Sequence, residues 1–124
     1  MYKINFFATA QGEQPIKEYL KKLNEKTDKD SRLNLKKIHE YMEALKTYGT
    51  NAGLPYVKHI DSDIWELRPI RHRFFFFLWQ SNTFILLHHL CVKKTQKTPK
   101  SDIAQSKRNM IDFIERSSEN ANEK

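Results

Sequence analysis

The stretch WELRPIRHRFFFFLW, residues 65–79, lies in the most apolar part of this 124-residue chain and also carries three arginines and a histidine. A segment that alternates apolar and polar residues leads into PIRH, residues 69–72, and four consecutive phenylalanines follow directly. Short runs of β-branched and aromatic residues separated by a turn-forming proline are typical of paired strands. The stretch therefore predicts a β-hairpin whose bend carries arginine and histidine side chains.

Strand patterns continue on both sides of this hairpin. The predicted strands are YVKHI at 56–60, IWELRPI at 64–70, HRFFFFLWQ at 72–80 and TFILLHHLCV at 83–92. Short connections predict that they form an antiparallel meander. The last two are apolar almost without interruption, which is typical of central strands covered on both faces. The four phenylalanines are accordingly predicted to lie mostly in the core.

Helical patterns flank the strands. After a first predicted strand at residues 2–7, apolar residues recur at helical spacing in 14–26 and 28–46, and a closing helix is expected from an N-cap at Ser101 to about Arg116. The sequence predicts one α+β domain over residues 1–116, with a frayed polar tail at 117–124. Its antiparallel-rich, twisted sheet carries the N-terminal helix pair on one face and packs with a C-terminal helix.

The charge balance points to a polyanionic partner. The chain has 22 Lys and Arg against 15 Asp and Glu, a formal net charge of +7, which favours RNA, DNA or an acidic protein. The apolar run at 74–79 is too short to span a membrane, and no secretory segment follows Met1. A single cysteine, Cys91, fits a reducing cytoplasm and is expected to be buried in its strand.

Several chemistries are disfavoured by what the sequence lacks. Three glycines are too few for a phosphate-cradling or dinucleotide-binding loop. His88 and His89 are adjacent in a predicted strand, so they point to opposite faces and cannot share a metal ion. The other histidines lie on different elements, and no residues have metal-ligand spacing. The sequence therefore predicts neither a metal site nor a cofactor.

The hairpin bend predicts a phosphate site. With a bend at Ile70 and Arg71, Arg68 lies across from Arg73, and Glu66 lies across from Phe75. Opposed like charges are destabilising, arginine keeps its proton, and Glu66 neutralises only part of the charge. A phosphate would suit both guanidinium groups. Side chains predicted to extend this site for RNA binding are Lys58, Arg71, Phe75 as a stacking surface, Lys94, Lys97 and Lys100.

Two segments carry a family resemblance. WELRPIRHRFFFF at 65–77, followed by LLHHLCVKKTQKTPKSDIAQSKRN at 86–109, resembles the HigB branch of the RelE/ParE superfamily of toxin–antitoxin toxins, which includes phage-related members. The resemblance covers most of the chain and implies a RelE-like fold. It also implies a metal-independent mRNA endoribonuclease that acts on the translating ribosome and inhibits translation. The implied partner is an adjacently encoded, HigA-like helix-turn-helix antitoxin in a hetero-oligomeric complex.

The resemblance also assigns roles. Arg68 and Arg73 match the arginines that clamp the phosphate while the ribose 2′-hydroxyl attacks it, and Lys93 matches a basic position at the end of the last strand. This chain lacks a tyrosine near its C-terminus, so the general acid is open between His72, His88 and Arg73. A ParE-type gyrase inhibitor and a non-catalytic nucleic-acid-binding module are the alternative functions.

Strand register leaves one geometric question open. If the turn at 81–82 pairs Gln80 with Thr83, then Arg73 opposes Leu90, and His88 shares the face of Arg73 whereas Lys93 does not. A β-bulge or a one-residue shift would reverse both assignments.

Overall fold

The computed structural model describes residues 1–92 and 97–122, with side chains described as far as residue 119. The elements are β1 (Lys3–Phe6), α1 (Pro15–Glu25), α2 (Lys29–Tyr48), a short 3-10 helix (Gly49–Ala52), β2 (Val57–Asp61), β3 (Ile64–Leu67), β4 (His72–Trp79), β5 (Thr83–Cys91) and α3 (Lys100–Asn122). Within these ranges, no helix combines the length and the apolar character needed to cross a bilayer.

The five strands form one sheet in the order β1-β5-β4-β3-β2. Strands β2 to β5 pair antiparallel with their neighbours, and β1 pairs parallel with β5. The predicted meander and the central position of the last two strands are both confirmed. The parallel β1 was not predicted, because it pairs with a strand almost eighty residues away in sequence.

The four phenylalanines alternate between two cores. Phe74 and Phe76 pack toward α1 and α2, against residues such as Ile38, whereas Phe75 and Phe77 pack toward α3. All four are between 0% and 4% exposed. Each buried ring contributes about 1.5–3 kcal/mol relative to an exposed one. The predicted α+β class, with a helix pair on one face and a C-terminal helix, is therefore confirmed.

Two local predictions are wrong. Helix α3 begins at Lys100 and continues to Asn122, beyond the predicted end at Arg116. No glycine or proline follows Arg116 to stop the helix, so residues 117–122 continue α3, and residues 123–124 lie outside the described chain. Cys91 is exposed rather than buried, because it is the last residue of β5 and lies at the end of the sheet.

The register between β4 and β5 combines a shift with a bulge. Trp79 pairs with Thr83, so the loop holds three residues rather than the predicted two. A bulge beyond Phe75 then shifts the register back by one residue. The two irregularities cancel, and Arg73 lies opposite Leu90, the pairing expected from the simpler turn.

Candidate active site

The β3–β4 hairpin brings two arginines to one place. Leu67 pairs with Phe74 and Glu66 with Phe75, and the His72 N–H donates to the Pro69 carbonyl at 2.9 Å. This is the predicted bend, and it places Arg68 and Arg73 one position beyond the last paired residues. The paired arginines are therefore a product of the hairpin itself.

Glu66 lies between the two guanidinium groups. Its Oε1 is 3.1 Å from Nε of Arg68 and 3.9 Å from Nε of Arg73. The carboxylate is only 1% exposed, and its Oε2 accepts a hydrogen bond from the Thr98 hydroxyl at 2.7 Å. One carboxylate against two guanidinium groups leaves a net positive charge, which an anion can balance.

The Thr98 contact was not predicted. Thr98 lies 32 residues after Glu66, and no sequence periodicity relates the two positions. The bond holds the segment that precedes α3 against the end of β3. It also places Lys97, which is exposed, next to the residue that contacts Glu66.

Arg73 is more enclosed than Arg68. Its side chain is 8% exposed, against 24% for Arg68, and its Nη1 donates to the carbonyls of Ile70 at 3.0 Å and His72 at 2.8 Å. Burial and the nearby Arg68 lower the pKa of Arg73, whereas Glu66 raises it. Arginine nevertheless stays protonated in proteins. Arg73 is therefore a fixed cation, held in place by the backbone of its own bend.

Arg68 is held by its ion pair with Glu66. Its Nε is buried 3.1 Å from Glu66 Oε1 without hydrogen-bond geometry, and it has no other partner among the residues that the structure describes. A ligand can therefore reach only the exposed part of this side chain, which is 24% exposed, and not Nε.

The two arginines line an open cleft of about 440 Å³. We call it the arginine cleft, and its lining residues are Tyr41, Leu54, Pro55, Arg68, Ile70 and Arg73. Tyr41 comes from α2, and the loop before β2 supplies Leu54 and Pro55. The sequence pattern marked Tyr41 only as an apolar position of its helix, so its place in the cleft was missed.

Phe75 cannot serve as the predicted stacking surface. Its ring is fully buried, at 0% exposure, in the core under α3. Alternation along β4 places it on the covered face of the sheet, so this prediction is wrong.

His88 shares the face of Arg73 but lies in a different pocket. Its Nε2 is 2.7 Å from Oδ1 of Asp102 at the start of α3. Both residues of this pair are partly exposed. His88 lines a pocket of about 450 Å³ with neighbours that include Tyr19, Gln105 and Asn109, and it is not among the residues that line the arginine cleft.

His72 points to the opposite face of the sheet from Arg73. It is 4% exposed, its Nδ1 lies 3.0 Å from Nε2 of His89, and the His89 ring packs on Tyr19 with centroids 4.4 Å apart. The structure therefore does not place His72 among the residues that line the arginine cleft, and its candidacy as general acid stays a prediction. The contact between His72 and His89 was not predicted.

None of the predicted RNA-binding basic residues that the structure describes lines the arginine cleft, and Lys100 lines a separate pocket with Asp61. Lys58 is exposed and pairs with Glu66 across β2 and β3, so both side chains lie on one face. Arg71 is exposed in the bend, and Lys97 and Lys100 are exposed before and at the start of α3. The predicted positions Lys93 and Lys94 lie outside the described residues.

The histidine pair predicts a loss of stability in acid. Burial, followed by the proximity of His72 and His88, lowers the pKa of His89 to about 4, and burial and Arg73 lower that of His72. Since an unfolded histidine titrates near 6.5, the unfolded state takes up protons first as the pH falls. The contribution of this pair to stability should therefore be fully present above about pH 6.5 and decrease between about 6.5 and 4, by on the order of 3 kcal/mol for His89.

Chemical denaturation at several pH values measures this effect. The His89→Gln variant should lose most of the decrease, because glutamine does not titrate. His39→Gln, which changes an exposed histidine of α2, should keep it. An identical pH profile for wild type and His89→Gln would rule out this origin of the acid sensitivity.

Comparison with known proteins identifies the family to which the chain belongs. A solved structure described as the YoeB–YefM complex from Staphylococcus aureus is 17% identical, with a TM-score of 0.49, and the match covers 69% of this chain and 91% of that chain. No curated protein sequence matches significantly. The family described as "Phage derived protein Gp49-like (DUF891)" matches residues 18–111, which is more than half of the chain. The protein therefore belongs to the Gp49-like family of phage-derived proteins.

Proposed function

We propose that this chain is the toxin of a toxin–antitoxin pair and acts as a metal-independent mRNA endoribonuclease that inhibits translation. The observation that carries the proposal is the pair of guanidinium groups of Arg68 and Arg73, which share the single carboxylate of Glu66. Planar guanidinium forks match the geometry of a phosphodiester. Because the pair lines an open cleft, an RNA phosphate can approach it from solvent.

The proposed reaction uses these cations to stabilise developing charge. The ribose 2′-oxygen attacks the adjacent phosphorus and loses its proton to a base, while the bond from phosphorus to the 5′-oxygen breaks and that oxygen gains a proton. Arg68 and Arg73 hold the two non-bridging oxygens, whose negative charge grows in the phosphorane. Lys93 is proposed as a further phosphate ligand or as the base.

His88 is the histidine proposed for proton transfer. It shares the face of Arg73 and is oriented by Asp102, an arrangement that suits acid–base chemistry. Since it lies outside the arginine cleft, RNA would have to extend from the cleft toward α3 for His88 to take part. Arg73 is the alternative donor, in which case His88 would have a structural role.

The proposed partners are mRNA on the translating ribosome and a HigA-like helix-turn-helix antitoxin, all in the cytoplasm. The net charge of +7 favours fast association with RNA and with an acidic antitoxin at low salt. The antitoxin would inhibit either by filling the arginine cleft or by making the complex too large for the ribosome.

Expression of the chain in growing bacteria tests the proposal. We expect arrested translation and mRNA fragments with 2′,3′-cyclic phosphate or 3′-phosphate ends, both prevented by coexpression of an adjacent helix-turn-helix protein. Treating the purified chain with EDTA, and removing the chelator before ribosomes are added, should leave cleavage unchanged. Inhibited DNA supercoiling with intact mRNA would instead identify a gyrase inhibitor, and RNA binding without cleavage or arrest would identify a non-catalytic binding module.

The lysines before α3 should contribute to RNA affinity without specificity. Replacing both Lys97 and Lys100 with glutamine should reduce the slope of log affinity against log salt by about 1.4, since each contact with a single-stranded phosphate contributes about 0.7. The measurement is titration of a short single-stranded RNA between 50 and about 200 mM salt, the range over which such contacts are resolved.

A double variant of α1 provides the matched control. Lys21 and Lys22 are also exposed but lie on the helix pair, and their replacement with glutamine should leave the slope unchanged. Equal slopes for all three proteins would mean that Lys97 and Lys100 make no phosphate contacts.

A further inference from the structure

The arginine cleft has an apolar half as well as a charged half. Leu54 is 69% exposed and Ile70 is 43% exposed, and Pro55 beside them is exposed as well. All three line the cleft with the arginines. Apolar side chains that remain in water contribute no free energy of burial to folding. Their position beside two cations fits a ligand that is partly anionic and partly flat and apolar.

Tyr41 supplies an aromatic wall between the two halves. It is half-buried on α2, and its ring packs edge-on against Tyr56, with centroids 4.8 Å apart. The Tyr56 carbonyl accepts a hydrogen bond from the Arg68 N–H at 2.9 Å. The aromatic pair is therefore connected to the backbone of Arg68 through Tyr56.

Tyr41 lines the cleft together with both arginines and with the apolar residues Leu54, Pro55 and Ile70. Its phenol is the smallest of the influences on the pKa of Arg73, after burial, Arg68, Glu66 and Cys91. A residue in this position can contact the sugar or base of a nucleotide whose phosphate is bound by the arginines.

We propose that the arginine cleft is a subsite for one residue of single-stranded RNA, with its phosphate on Arg68 and Arg73 and its base against Tyr41, Leu54, Pro55 and Ile70. The proposal rests on the nuclease function above and adds a contact to the base. The cleft volume of about 440 Å³ falls in the range of small-ligand sites, roughly 300–1,000 Å³. Tyr41 takes the stacking role that the buried Phe75 cannot.

Binding of two matched probes tests this subsite. The first is a trinucleotide with 2′-O-methyl riboses, which cannot be cleaved because it has no 2′-hydroxyl, and the second is the same molecule with one base removed, tested at each position. A base contact should make the complete probe bind about 5- to 150-fold more tightly than one abasic probe, since aromatic stacking contributes roughly 1–3 kcal/mol per base.

Variants of Tyr41 identify the residue responsible. Tyr41→Ala should lose most of the preference for the complete probe over that abasic probe. Tyr41→Phe, which keeps the ring, should retain most of the preference. Circular dichroism establishes that each variant is folded.

A pair of neutral surface variants tests the cleft independently of the tyrosine. Leu54→Ser removes an exposed apolar side chain and should reduce the preference for the complete probe by about 4- to 15-fold, the effect of burying one or two methylene groups. Leu33→Ser changes a comparably exposed leucine, 51% accessible, on α2 outside the cleft, and should leave the preference unchanged.

The outcomes separate this inference from the nuclease function. No base preference in wild type, a full preference in folded Tyr41→Ala, or an unchanged preference in Leu54→Ser overturns the subsite while leaving the phosphate clamp intact. Unchanged binding of both probes by Arg68→Ala would instead remove the phosphate clamp, and with it the proposed function.

Discussion

Replacing Arg68 with alanine should reduce mRNA cleavage by about 10²- to 10³-fold, because one preformed contact to the phosphorane oxygens contributes about 2.7–4 kcal/mol. Arg68 is partly exposed, and its loss leaves Glu66 with Arg73 and Thr98. The variant should therefore fold normally. Single-turnover cleavage of an mRNA by the purified chain with ribosomes, together with a denaturation curve, measures both effects.

Arg73 requires a more conservative substitution than alanine, because its side chain is buried and donates hydrogen bonds to two backbone carbonyls. Arg73→Lys keeps the positive charge but loses the planar fork, and cleavage should fall on the order of 10- to 100-fold. The control for the loss of one positive charge is Arg32→Ala, which changes an exposed residue of α2. This variant should cleave mRNA at close to the wild-type rate. Wild-type cleavage by both Arg68→Ala and Arg73→Lys would place the chemistry elsewhere.

Replacing Glu66 with alanine should destabilise the protein by about 3–5 kcal/mol, because a buried guanidinium group then lacks its counter-ion. Glu66 is the carboxylate nearest to Arg73 and also accepts the Thr98 hydroxyl. Removing this carboxylate leaves Arg68 and Arg73 without the only anion that they share among the described residues. Urea denaturation of the purified variant measures the change in the free energy of unfolding.

An exposed ion pair is the matched control. Glu40 lies 3.3 Å from Lys37 and its side chain is 45% exposed, so Glu40→Ala should cost less than about 1 kcal/mol. A similarly small effect for Glu66→Ala would mean that Arg73 is held by the backbone carbonyls alone. In that case the carboxylate would be free for another role in the cleft.

Local sequence patterns were sufficient to predict most of the architecture. The four phenylalanines predicted central strands, and the bend at Ile70 and Arg71 predicted where Arg68 and Arg73 meet. These features depend on alternation within a strand and on a short turn, both of which involve neighbours in sequence. The basic composition likewise predicted a polyanionic partner without reference to the fold.

The residues that surround the two arginines could be identified only from the tertiary structure. Tyr41 enters the cleft from α2, Thr98 reaches Glu66 from the segment before α3, and His88 turns toward Asp102 rather than into the cleft. Each contact joins elements that are far apart in the chain. The distances between these residues depend on how the helices pack on the sheet. They also depend on the register between β4 and β5, in which the longer loop and the bulge have opposite effects. The spacing of residues in the sequence predicts on which face of its own helix or strand a side chain lies. It does not predict which faces of different helices and strands pack together.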